Sequence, residues 1–318
     1  MDAPAFCNSL RLSVHALEKA NRLIPGYQQH EIGVIERQSR DIQGLLRTTP
    51  MHVHLTEDDQ IRGEKNLRLM GLPAGSKFVC ILVRDSLYFE EILNHNNDED
   101  SYRDSTISNF NLAVRELTRE GYYVLRMGAV AKEWTHDLGE KVFDYANSPY
   151  RSDFMDIYLG SACEFFISTG SGWDSIPQIL FRKPGVFINF VPLAYIHSFA
   201  EKCIFHTKNH YQIDTGKLLS LKEIFESGTA YCLRSSDYEQ KGIRLSEGSP
   251  EDIKDVVKEM IDLLSNKLRN DAEDIELQKK FRDLFVANIN KSFFDKNHGE
   301  MLSNFSKEYL RKNKWWLK

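Results

Sequence analysis

Between Lys77 and Asn189 short apolar runs, several ending in polar clusters, alternate with helical spacing, with no internal sequence repeat. Phe78-Val79-Cys80-Ile81-Leu82-Val83 is the clearest run, and it stops abruptly at Arg84-Asp85. A strand without polar alternation has to be covered on both faces, which excludes a sheet with one wet side. Further strands are expected at Tyr122 to Leu125, Val142 to Asp144, Phe165 to Ile167 and Val186 to Asn189. Helices are expected between them, at Ile107 to Leu117, Phe154 to Ala162 and Asp174 to Phe181. Strands and helices alternating through short connections predict right-handed βαβ units, hence an α/β fold with a Rossmann-like parallel sheet.

Both flanks read as helical extensions. Apolar residues recur with helical spacing from Arg11 to Leu46 (Leu17, Leu23, Ile24, Ile32, Val34, Ile35, Ile42, Leu45), split by Pro25-Gly26. Thr56 before Glu57-Asp58-Asp59 caps another helix, which Gly71 and Pro73 close. Past Tyr231, Ser249-Pro250-Glu251-Asp252 combines a Ser cap, a first-position proline and carboxylates at the positive end of the helix dipole. A second helix is expected from Asp271 to Asn290. The expected organisation is a helical region at 1–76, a Rossmann-like domain at 77–235, and C-terminal helices and tail at 236–318.

Forty-one Lys and Arg against 46 Asp and Glu leave a net charge of −5, so no global positive field would hold a nucleic-acid backbone. Small anionic ligands remain compatible, because a few arginines and loop amides can build a local site. Cys7, Cys80, Cys163, Cys203 and Cys232 are dispersed in apolar settings and read as reduced core thiols. Met1 to Leu12 has no apolar export segment, and the most apolar stretch, Gly185 to Ala200, is broken by Asn189, Pro192 and His197. A cytoplasmic protein without a membrane-spanning helix is expected. His52-x-His54 has no evident third and fourth ligand, so no metal is expected. No P-loop, H-E-x-x-H, G-x-S-x-G or G-x-G-x-x-G motif appears, which removes support from kinase, zincin, hydrolase and nicotinamide-enzyme readings.

In an open parallel sheet, ligands bind beyond the carboxyl ends of the strands. Three polar clusters fall there: Arg84-Asp85-Ser86, Arg126-Met127-Gly128, and Ser168-Thr169-Gly170-Ser171-Gly172. Two guanidiniums beside a Gly/Ser/Thr loop suit a diphosphate, because arginine offers fixed bidentate donors and the loop offers unobstructed amides. Plainer readings stand beside this one: a tight turn with a Ser cap, and a local Arg-Asp ion pair. Asp174 suits either a ribose hydroxyl or a first-turn carboxylate, and Tyr102-Arg103-Asp104 suits either a ligand loop or a helix cap. The closing Trp315-Trp316 among Lys312, Lys314 and Lys318 suits either an interfacial membrane anchor or a packed terminus.

Several blocks in one order carry a resemblance. Val83-Arg84-Asp85-Ser86-x-Tyr88, Tyr102-Arg103-Asp104-Ser105-x-Ile107-x-Asn109-Phe110, Gly121-Tyr122-x-Val124-x-Arg126-Met127-Gly128, Asp153 to Leu159, and Phe165 to Gly172 with Pro177 and Phe181-Arg182-Lys183-Pro184 resemble a bacterial family described as glycosyltransferases. They span roughly Thr56 to Leu193. The resemblance implies a GT-B-like architecture with this chain supplying the donor-binding half, and it is similar in outline to fucosyltransferase-like enzymes, where an arginine after a strand binds the donor diphosphate. Arg84 takes that role, with Arg103, Arg126, Gly128, Ser168, Thr169, Gly170, Ser171 and Gly172 around the donor and Asp174 near the ribose. Asp85 or Asp104 would take the acceptor proton.

The implied substrate is a nucleotide diphosphate sugar, with no further cofactor. The implied acceptor is a surface polysaccharide or lipid-linked glycan, met in the cytoplasm or peripherally at the inner membrane. The roughly 76 residues before Lys77 are too few and too helical for a second Rossmann-like domain, so the chain reads as a shortened member, a fragment, or a half that pairs with a partner subunit. A nucleotide-sugar-binding or scaffolding subunit without catalysis, and a nucleotide-sugar epimerase or hydrolase, are the alternatives.

Overall fold

The computed structural model describes residues 3–29, 40–87, 90, 99–132, 134 and 138–318, with the backbone alone at 3–11 and 29. The chain divides into two compact units, 1–39 and 40–318. The first holds helix α1, Ala3–Asn21, and a 3-10 turn at Tyr27–Gln29. Leu12, Val14, Leu17, Leu23 and Ile24 are exposed there. The helical piece expected around Ile32, Val34 and Ile35 lies outside the described residues. Its expected continuation is a single turn, α2 (Leu45–Thr48), whose first amides, at Leu45 and Leu46, donate to the Asp41 carboxylate at 2.7 and 2.8 Å.

The second unit is built around a seven-stranded, wholly parallel sheet. Its strands are β1 (Phe78–Leu82), β2 (Tyr123–Arg126), β3 (Val142–Phe143), β4 (Phe165–Ser168), β5 (Gly185–Phe187), β6 (Cys203–Phe205) and β9 (Asn304–Phe305). They lie in the order 3-2-1-4-5-6-9. The α/β, Rossmann-like class expected from the alternation is therefore what the chain adopts. A separate antiparallel pair joins β7 (Asn209–Gln212) to β8 (Ile243–Ser246).

Residues of β1 alternate between the two cores. Val79 and Ile81, with Val83 just beyond, pack with Phe110, with Val114 and Leu117 of α4 (Asn111–Arg119) and with Val256, Val257 and Met260 of α8 (Pro250–Leu264). Phe78, Cys80 and Leu82 face the other side with Met155 and Leu159 of α5 (Asp153–Ala162). Burying every side chain of β1 on both faces explains why its sequence shows no alternation. The helix α3, Glu57–Leu69, begins at Thr56 with a capping box to Asp59, and Gly63 lets it approach α5 closely. A Cβ at Gly63 would meet the Tyr158 ring at 2.0 Å.

Residues 40–76 and 236–318, expected as flanking regions, are packed with the sheet inside the second unit. The Ser249 cap and first-position Pro250 of α8 are present, and α9 (Ala272–Asn288) starts at Asp271. The helix expected over Asp174 to Phe181 is a 3-10 turn, Gly172–Asp174, followed by a π turn, Ile176–Leu180. Pro177, which has no N–H to donate, sits inside that stretch.

Of the two readings of the terminal tryptophans, the packed one is seen. Trp316 is 1% exposed, stacked 6.1 Å from Phe281 and tilted 4.9 Å from Phe305. Lys312 pairs with Asp252 and Asp255, and Lys314 with Glu273. The Trp316 indole is thus packed within the fold, and these lysines form ion pairs on its surface. Among the described residues no helix is long and apolar enough to cross a membrane.

Candidate functional site

The strand order reverses between β1 and β4, and connections that leave neighbouring strands in opposite directions open a crevice at such a point. A cavity of about 590 Å3 lies there, walled by the carboxyl ends of β1, β2, β4 and β5. It brings together Arg84, Asp85, Arg103, Gly128, Gly170, Ser171, Gly172 and Asp174, eight of the residues expected from sequence. Four others do not line it: Arg126, Asp104, Ser168 and Thr169.

Arg84 leaves β1 with its backbone N–H donating to the Thr169 hydroxyl at 2.9 Å, which ties the β1 and β4 loops together. Its Nε donates to Asp104 at 3.1 Å, and its Nη2 stands 4.0 Å from Asp100. Arg103 donates to the other oxygen of Asp100 at 3.1 Å. Burial lowers the Arg84 pKa, and the neighbouring Arg103 charge lowers it further, against the pull of Asp104 and Asp100. Burial likewise raises Asp104, while Arg84 and Lys208 oppose the rise.

Asp85 faces the cavity but serves the backbone around it. One carboxylate oxygen accepts from Leu87 N at 3.0 Å, and the other accepts from Lys132 N at 3.0 Å and faces Arg126 at 3.4 Å. Arg126, with 0% exposure, donates to the Lys132 carbonyl and lies 3.7 Å from Asp144. It is a brace behind the wall of the cavity, and burial lowers its pKa.

The loop after β4 folds as its composition demands. Gly170 has φ of 91°, a left-handed conformation that a side chain resists, and a Cβ there would also touch Phe190 at 3.4 Å. Its N–H donates to the buried Ser168 hydroxyl at 3.0 Å. Ser171 and Asp174 form a capping box in which the Ser171 N–H donates to Asp174 Oδ2 at 2.6 Å. Asp174 thus stands in the first turn of this 3-10 segment and caps it with one oxygen.

The second oxygen, Oδ1, is buried and makes no hydrogen bond of normal geometry. Burial pushes the Asp174 carboxyl up to about 7, with the nearby Ser168 hydroxyl and the Ser171 amide holding it from rising further. A group with that pKa lining a cavity can give or take a proton near neutrality.

Other parts of the wall left little trace in the sequence. Tyr102, Trp173, Phe190 and Tyr195 supply aromatic surface, and cis Val191-Pro192 lies in the segment after β5. His197 is half-buried with Nδ1 2.8 Å from Gln178 Oε1, and desolvation of the ring holds its pKa well below the usual value, so it is neutral. Arg40 reaches the cavity from a stretch whose only visible pattern was apolar spacing. His52 and His54 are exposed, away from the cavity wall, and among the described residues no group of three His, Cys, Asp or Glu is placed to hold a metal. Comparison of the chain with protein-family models, curated proteins and solved structures returned no match.

Proposed function

We propose that the cavity binds a nucleotide diphosphate sugar and that the chain transfers the sugar to a hydroxyl of a bacterial surface polysaccharide or lipid-linked glycan. The observation that supports this reading is the cavity at the β1/β4 reversal, where arginines face a Gly-Ser-Gly loop and aromatic side chains supply flat apolar surface. Guanidiniums and amides suit a diphosphate leaving group, and aromatic rings suit a base or sugar face. In the transfer, the acceptor oxygen bonds to the anomeric carbon as the bond to the diphosphate oxygen breaks, and the bonding pair leaves with the diphosphate. The acceptor proton passes to a carboxylate. Asp85 and Asp104 are held in ion pairs, whereas Asp174 keeps an oxygen without a hydrogen bond of normal geometry and a pKa of about 7, so Asp174 is assigned that role here.

The commitment of Asp85 and Asp104 to ion pairs also favours a second reading, a subunit that binds the nucleotide sugar without turnover. Thermal denaturation against UDP-, GDP-, CMP- and dTDP-sugars tests the shared part of both readings, since a ligand selective for the folded state raises its melting temperature. One nucleotide class should stabilise the protein. Arg84→Ala should abolish that shift, because it uncovers Asp104 and Asp100 beside the bound phosphates. No shift with any nucleotide would overturn both readings, and sugar transfer to an acceptor separates them.

A further inference from the structure

Among the described residues most ionic groups of the cavity wall are matched, and Asp174 and Arg40 are the two that form no ion pair. Arg84 and Arg103 face Asp104 and Asp100, Asp85 faces Arg126 at 3.4 Å, and Asp156 faces Arg151 at 3.2 Å. Arg40 lines the same cavity, half-buried, and no carboxylate among the described residues lies within ion-pair distance of it. Its guanidinium donates to the carbonyl of Tyr195 at 2.7 Å and to that of Ile196 at 3.4 Å. Carbonyls fix the orientation of a guanidinium without neutralising it, and a partly desolvated cation lacking a counter-ion carries a cost that an incoming anion relieves. Burial lowers the Arg40 pKa to about 10, so the group remains charged at neutral pH.

We propose that Arg40 is the anion anchor of this cavity, pairing its guanidinium with an oxyanion of the ligand. The anion's identity as a phosphate of the donor rests on the nucleotide-sugar reading; the anchor itself rests on the charge pairing around the cavity. Arg84 and Arg103 then act with their aspartates as a hydrogen-bonding rim, and Arg40 supplies a positive charge with no ion pair among the described residues. A planar fork held by two backbone carbonyls is pre-oriented for bidentate contact with a phosphate.

The test is calorimetric titration of the full chain with inorganic pyrophosphate and, separately, with the nucleotide sugar that stabilises it best. Arg40→Met should weaken pyrophosphate binding about 10- to 100-fold, the range expected for losing a charge-assisted hydrogen bond, and Arg40→Lys should recover part of the loss. Arg40→Met also removes two carbonyl contacts, so a second measurement uses the intact protein. In 15N-arginine-labelled wild type, the Arg40 Nε–H resonance, assigned by its disappearance in Arg40→Lys, should move as pyrophosphate saturates.

Wild-type pyrophosphate affinity in Arg40→Met, an Arg40 resonance that does not move, or no pyrophosphate binding by wild type would each overturn the anchor. Pyrophosphate binding that depends on Arg40, with no nucleotide sugar bound, would uphold the anchor and remove the nucleotide-sugar reading. A nucleotide sugar bound equally by wild type and Arg40→Met would do the reverse.

Discussion

Replacing Asp174 by Asn separates the charge of this buried group from its shape. Asn keeps an oxygen to accept the Ser171 N–H and so keeps the cap, but it cannot ionise. The folded-state pKa of about 7 stands above the unfolded value of 3.8, so the folded protein binds the proton more tightly than the unfolded chain over that interval. Its contribution therefore favours folding in acid and is lost as pH rises from about 4 to 7. Between pH 5 and pH 8 the loss amounts to about 2.5 kcal/mol.

Wild type and Asp174→Asn share every other titrating group, including Glu259, which burial also raises to about 7. The difference in unfolding free energy between the two proteins thus isolates Asp174. Urea denaturation at half-unit pH steps should show Asp174→Asn gaining on wild type by about 2.5 kcal/mol from pH 5 to pH 8. A difference that stays flat within about 0.5 kcal/mol would refute a perturbed Asp174, and with it the proton-transfer role assigned above.

Three further outcomes follow from the packing and the buried charges. Gly63→Ala should cost about 1–3 kcal/mol in urea denaturation, because its Cβ would overlap the Tyr158 ring, and Gly63→Ala combined with Tyr158→Leu should recover part of the loss. Trp316→Ala should cost about 3–5 kcal/mol by the same assay, as expected for emptying a site between Phe281, Phe305 and Tyr309; a neutral result would mean the indole is not part of the core. His298 is held neutral by burial at a pKa of about 4, below its unfolded 6.5, so the unfolded chain binds the proton first and stability is lost as pH falls from 6.5 towards 4. Its share is about 2 kcal/mol between pH 7 and pH 5, and His298→Gln should flatten the acid limb of the stability curve by that amount.

What could be read from the sequence was what repeats or punctuates. The strands β1 to β5 were visible as short apolar runs, clearest where a strand is covered on both faces, as in Phe78 to Leu82. Thr56, Ser249 and Asp271 marked helix starts because side-chain caps are local chemistry. The strands β6 to β9, all beyond Asn189, were not expected from the sequence.

The site was legible where a residue type is demanded by the backbone itself, as at Gly170 with its positive φ. It was not legible where a role depends on distant partners. Arg126 and Arg84 look alike in sequence, each following a strand, yet one is wholly buried against Asp85 and Asp144 and the other reaches the cavity. Arg40 lies 155 residues before the carbonyl that orients it, and no spacing rule connects the two.

The most direct test of the central claim is a crystal structure of the protein with the stabilising nucleotide sugar bound. The account predicts the diphosphate in the β1/β4 crevice, within hydrogen-bonding distance of the 170–172 amides and Arg40, with the anomeric carbon turned towards Asp174. A nucleotide seated away from that crevice, or one with its phosphates in solvent, would contradict it.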